Sequence, residues 1–154
     1  MKTLIIYASS HHKNTEKIAQ AMGSVLGSKT LNFAEAKKEE VMSADLVGFG
    51  SGVYYMQFHK ELLNFVKTLP DAGGKKTFIF STAGMKQNPF FNRGHQSIRK
   101  ILQNKNFKII GEFDCLGYDT YGILKYIGGL NRGKPDKADI KNAKDFASNL
   151  AAQS

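Results

Sequence analysis

Short runs that are apolar at nearly every position alternate along this chain with longer segments whose apolar residues return every third or fourth place. "LIIYA" within residues 2–8 has no polar face, the habit of a strand covered on both sides in a parallel sheet. From Asn14 to Leu26 the period changes: Ile18, Ala21, Met22, Val25 and Leu26 mark one helical face. "KTLNF" predicts a short second strand, residues 35–43 a short helix, and "DLVGFGS" a buried third strand. Leu62, Leu63, Val66 and Leu69 then form a helical stripe over residues 58–69, closed by Pro70. "KKTFIFST" predicts a fourth strand. A helix over 93–104 follows, marked by Ile98, Ile101 and Leu102, then a fifth strand, "FKIIGEFDCLG". Pro135 and Asp136 open a last helix, with Ile140, Ala143, Phe146, Ala147 and Leu150 on its inner face.

Strands that alternate with helices imply right-handed crossovers and a parallel sheet. The expectation is an α/β fold: a doubly wound five-stranded parallel sheet with helices on both faces, in one domain over residues 1–154. No repeat or linker interrupts it. In such sheets ligands bind beyond the carboxyl ends of the strands, where strand order reverses. One long segment, Gly117 to Gly133, shows no period and holds five glycines, and a loop of that length in a compact domain is more often functional than idle.

Charge narrows the partners. Twenty-two Lys and Arg against thirteen Asp and Glu give a net charge of +9, which favours acidic partners. The basic residues do not cluster and no nucleic-acid-binding signature is present, so nucleic acid is not expected as a partner. No apolar run approaches the length of about 20 residues that crosses a bilayer. The first apolar run is also too short for a signal peptide, so a cytoplasmic protein without a membrane partner is expected. Cys115, the one cysteine, lies in an apolar stretch and reads as a small buried hydrophobe.

Chemistry concentrates between the first strand and the first helix, in "YASSHHKNTEKIA". Ser9, Ser10, His11, His12, Lys13, Asn14 and Thr15 are seven consecutive polar residues at a helix N-terminus, where backbone N–H groups and the helix dipole suit a phosphate. Capping of the helix by Asn14 or Thr15 is the plainer explanation, but it accounts for one or two of the seven. Adjacent histidines rarely converge on one ion, so no metal is expected. His59 and His95 read as surface groups without a role. "GSVLGSKT" falls one residue short of a phosphate-binding loop and sits at a helix end, and "GFGSGV" has Val53 where a dinucleotide fingerprint needs its last glycine.

The segment "SHHKNTEKIA" resembles the phosphate loop of flavodoxins, which runs Ser/Thr-x-Thr-Gly-Asn-Thr before a helix. The resemblance implies FMN as cofactor, with Ser10, His12, Asn14 and Thr15 on its phosphate, and the strand order 2-1-3-4-5. Lys13 stands where the family has glycine and His12 where it has threonine. A positive φ at Lys13 would be strained. "FGSGVYYMQFHKEL" is similar to the family's first flavin loop, implying contacts from Gly52 and Val53 and a ring stacked on Tyr54 or Tyr55. Met56 stands near a position where many relatives turn a glycine carbonyl toward the flavin; Gly52 is the nearest alternative. "FSTAGMKQNPFFNRG" is similar to the second flavin loop, which brings Thr82, Ala83 and Gly84 to the pyrimidine edge. The region after the fifth strand resembles its counterpart in a flavodoxin-like subgroup.

By this resemblance the chain is an FMN-dependent electron carrier between redox partner proteins with acidic docking surfaces, and it has no catalytic residues of its own. Two other functions fit the same residues. One is an NAD(P)H-dependent FMN or quinone reductase on the same fold; the other is a flavin-free module whose basic face holds an anionic partner.

Overall fold

The computed structural model describes residues 1–9, 13–53, 57–83, 93–117 and 133–154. Five parallel strands, β1 (Thr3–Ala8), β2 (Lys29–Asn32), β3 (Leu46–Gly52), β4 (Lys76–Ala83) and β5 (Lys108–Leu116), form one sheet in the order β2-β1-β3-β4-β5. The expected fold and strand order are both present. Between and after the strands lie α1 (Asn14–Leu26), α2 (Lys38–Ser43), α3 (Lys60–Lys67), α4 (Arg93–Asn104) and α5 (Lys137–Gln153). The segment over 35–43 begins differently from its prediction. Asn32 accepts a hydrogen bond from the Ala34 N–H, a 3₁₀ turn covers Phe33–Glu35, and the helix starts only at Lys38.

Two apolar layers flank the sheet. On one face Leu4, Ile6, Val47, Phe49 and Ile79 pack with Leu62, Leu63 and Val66 of α3 and Ile98 and Leu102 of α4. On the other face Ile5, Tyr7, Phe78 and Phe80 meet Ile18, Ala19 and Met22 of α1 and Ala143, Ala147 and Leu150 of α5. The glycines of "VGFGS" make room on this second face. A Cβ on Gly48 would lie 2.2 Å from the Phe78 ring, and one on Gly50 would lie 2.1 Å from the Phe80 ring. They serve close packing rather than a nucleotide.

Between β4 and β5 the register slips by one residue. Thr77 pairs with Ile109, but Phe78 pairs with Gly111 and Ile79 with Glu112. Because strand side chains alternate faces, the slip turns Glu112 to the face that α4 covers. Among the described residues no helix is long and apolar enough to cross a membrane.

Candidate functional site

The polar loop opens α1 in an unusual way. The N-cap position falls on Lys13, whose φ of 55° and ψ of 33° are left-handed, and no side chain caps the helix there. Asn14 and Thr15 already lie inside the helix, so neither is its N-cap, and capping does not explain the loop. The first intrahelical bond runs from the Lys17 N–H to the Lys13 carbonyl, 3.1 Å. By contrast, α5 opens on a capping box: Asp136 accepts from the Asp139 N–H, and Asp139 accepts from the Asp136 N–H. Ser9, at the carboxyl end of β1, has a buried hydroxyl with no hydrogen-bond partner among the described residues. A buried hydroxyl left unpaired costs free energy, and an oxygen-rich ligand at this helix terminus would supply the missing partner.

Three strand ends and the start of α1 are tied together at the same edge, and Thr82 is their hub. Its hydroxyl lies 2.9 Å from that of Thr15 on α1, with both residues buried. Its carbonyl accepts from the Val53 N–H, 2.8 Å, and the Ala83 carbonyl accepts from the Gly117 N–H, 2.9 Å. A Cβ on Gly117 would sit 2.6 Å from Asn14 Nδ2, so a larger residue at the end of β5 would displace the Asn14 side chain. Ser51 closes the loop after β3: its hydroxyl accepts from the His59 N–H at 2.9 Å and donates to the Gly52 carbonyl at 2.6 Å.

Of the residues expected at the site, Ser9, Lys13, Asn14, Thr15, Gly52, Val53, Thr82 and Ala83 stand along this one edge, on the ends of β1, β3 and β4 and the start of α1. Ser10, His11, His12, Tyr54, Tyr55 and Gly84 lie outside the described residues, as do Met56 and most of the Gly117–Gly133 segment. Below the edge, burial and then the carboxylate of Glu16 push the Tyr7 hydroxyl above its ordinary pKa. Cys115 is half-buried rather than fully buried, and burial still pushes its thiol up to about 12, consistent with a weakly reactive sulfur.

The histidines depart from expectation. His59 is half-buried, its ring centroid 5.2 Å from that of Phe33 and its Nδ1 buried without a hydrogen-bond partner. His95 is 0% exposed. Its Nε2 lies 2.6 Å from Ser81 Oγ, and its Nδ1 lies 2.9 Å from Glu112 Oε1. Arg99 grips the same carboxylate with two nitrogens, at 2.8 and 3.1 Å. Burial pushes the Glu112 carboxyl up, but hydrogen bonds from His95 and Arg99 outweigh it and hold the group below the usual carboxylate range. Neither histidine is a surface group. The periodicity contained a clue: His95, Ile98 and Leu102 recur at helical spacing, so His95 belongs to the apolar stripe.

A family model described as a flavodoxin domain matches residues 4–146. An uncharacterized protein of Methanocaldococcus jannaschii is 45% identical over 151 residues, covering 97% of this chain and 98% of that protein. Among solved structures, a flavodoxin from the domain Archaea aligns with a TM-score of 0.77 at 18% identity, over 99% of this chain and 98% of its own. Oxidised Flavodoxin 2 from Bacillus cereus aligns with a TM-score of 0.71 at 17% identity over 100% of both chains. At such identities these two likenesses are likenesses of fold. The family match spans most of the chain, and it agrees with the strand order and with the loops gathered at one sheet edge: this chain belongs to the flavodoxin domain family.

Proposed function

We propose that this chain binds FMN without a covalent bond and carries electrons between redox proteins. The observation that carries this reading is the N-terminus of α1. It has no side-chain cap, lies at the point where strand order reverses, and stands beside the unpartnered Ser9 hydroxyl. A phosphate there would accept from the N–H groups that a first helical turn leaves unpaired. Family membership implies a flavin, and the bound flavin supplies the redox chemistry.

The chain's own residues bind and orient. In this reading Ser9, Ser10, His11, His12, Lys13, Asn14 and Thr15 hold the phosphate. Gly52, Val53, Tyr54 and Tyr55 flank the ring, and Thr82, Ala83 and Gly84 meet its pyrimidine edge. The bonds among Thr15, Val53, Thr82, Ala83 and Gly117 fix the spacing of these elements before any ligand arrives, which lowers the cost of binding.

The partner in this reading is a redox protein with an acidic docking surface. Lys13, Lys17 and Lys144 line a groove of about 570 Å³ between α1 and α5, and none of the three is ion-paired with another described residue. Electron transfer to such a partner is expected to slow as salt rises.

Titrating the apoprotein with FMN and with riboflavin, followed by flavin fluorescence, tests the cofactor. Tight quenching by FMN and weak quenching by riboflavin is the expected result; no quenching by either refutes the proposal. Adding NAD(P)H alone to the complex then separates carrier from reductase, because rapid bleaching identifies the latter.

A further inference from the structure

We infer that His95 is a positioning residue for the cofactor edge: it pins the end of β4 through Ser81, and FMN affinity depends on that hydrogen bond. This rests on the FMN reading above. Ser81 immediately precedes Thr82 and Ala83, whose hydroxyl and carbonyls hold α1, the loop after β3 and the end of β5 in place. Behind this hub the Ser81 hydroxyl meets one nitrogen of His95, the other nitrogen meets Glu112 on β5, and Arg99 clamps Glu112 from the next turn of α4. One imidazole thus couples β4, β5 and α4.

The proton positions follow from the partners. The Glu112 carboxylate only accepts, so Nδ1 of His95 carries a hydrogen and donates it. In the neutral ring Nε2 is then an acceptor, and the Ser81 hydroxyl donates to it. Removing the ring leaves the Ser81 hydroxyl, on a residue that is 0% exposed, to find another acceptor or go unpaired.

Among the described residues the Phe58 ring packs edge-on at 5.4 Å, and α3 contributes Leu62, Leu63 and Val66 to this core. Glu112 meets the ring from β5, and Arg99 meets Glu112 from α4.

The test compares the full chain with His95→Gln, His95→Phe and Ser81→Ala, measuring FMN affinity by fluorescence at pH 8. Glutamine offers the donor and the acceptor of the neutral ring. His95→Gln is expected to bind like the wild type, and His95→Phe about tenfold more weakly, as for one lost buried hydrogen bond. Ser81→Ala is expected to weaken binding as His95→Phe does, and the double variant no further, because both remove the same bond.

Wild-type affinity in His95→Phe, no rescue in His95→Gln, or strictly additive losses for Ser81→Ala and His95→Phe would each overturn the inference while leaving the FMN reading intact. Failure of the wild type itself to bind FMN would instead refute that reading, and the inference with it.

Discussion

Lys13 is the most instructive residue to change, because its backbone and its charge act in opposite directions. Its φ of 55° lies in the left-handed region, where an L-residue other than glycine costs roughly 1–2 kcal/mol. Replacing it by glycine removes that strain, while glycine's extra freedom in the unfolded chain returns about 0.4–1 kcal/mol. The net expectation for Lys13→Gly is a gain of about 0.5–1 kcal/mol. For a domain of 154 residues, that raises Tm by about 1–4 °C. Lys13→Ala is the necessary control, since it deletes the same charge but keeps a Cβ in the left-handed conformation. Thermal unfolding of the two apoproteins by circular dichroism isolates the backbone term, and glycine is expected to be the more stable. In the proposed FMN reading, binding should move the other way: both variants would lose a cation beside the phosphate, and both are expected to bind a few-fold more weakly at low ionic strength, with the deficit shrinking as salt rises. If the glycine variant melts no higher than the alanine variant, the left-handed conformation is not what limits stability here, and the reasoning fails.

Gly50→Ala puts a methyl group 2.1 Å from the buried Phe80 ring, and such overpacking should lower stability by about 1–3 kcal/mol; an unchanged urea midpoint would contradict the packing described for β3 and β4. Thr82→Val leaves the buried Thr15 hydroxyl without its partner at about 1–3 kcal/mol, and adding Thr15→Val should recover part of it, so strictly additive effects in the double-mutant cycle would argue against the 2.9 Å contact. Glu112 is held below its ordinary value of 4.5, so its contribution to stability is present above that pH and is lost as pH falls through the folded value; Glu112→Gln should flatten the acid limb of the stability curve, and parallel curves would show that the pair with His95 and Arg99 is not formed. Cys115, half-buried and with its thiol pushed up to about 12, should react with an aromatic disulfide reagent at pH 8 much more slowly in the native protein than in urea; equal rates would refute the raised value.

Which parts of this protein were legible in the sequence depends on how far apart the interacting residues lie along the chain. Helix α1 begins at Asn14 and ends at Leu26 as its apolar spacing predicts, because a helix is built from contacts three and four residues apart. The uniformly apolar runs of β1, β3 and β4 announced a sheet covered on both faces, and the alternation of elements announced its parallel order. The polar loop was visible for the same reason: seven polar residues in a row are a local fact.

What the sequence left undecided needed partners far away. Asn14 and Thr15 look like capping residues, yet the chain turns left-handed at Lys13, and the Thr15 hydroxyl bonds across 67 residues to Thr82. Gly48 and Gly50 suggest a nucleotide motif until the Phe78 and Phe80 rings of the neighbouring strand occupy the space where their side chains would stand. Strict alternation along β5 from Ile109 would have turned Glu112 toward α5. The one-residue slip opposite Thr77 and Phe78 turns it instead to His95 and Arg99. A buried imidazole is tolerable only with both nitrogens satisfied, and that satisfaction comes from Ser81, 14 residues back, and Glu112, 17 residues on. Periodicity reports which face a residue is on, but only the packed sheet brings those three side chains within hydrogen-bond distance.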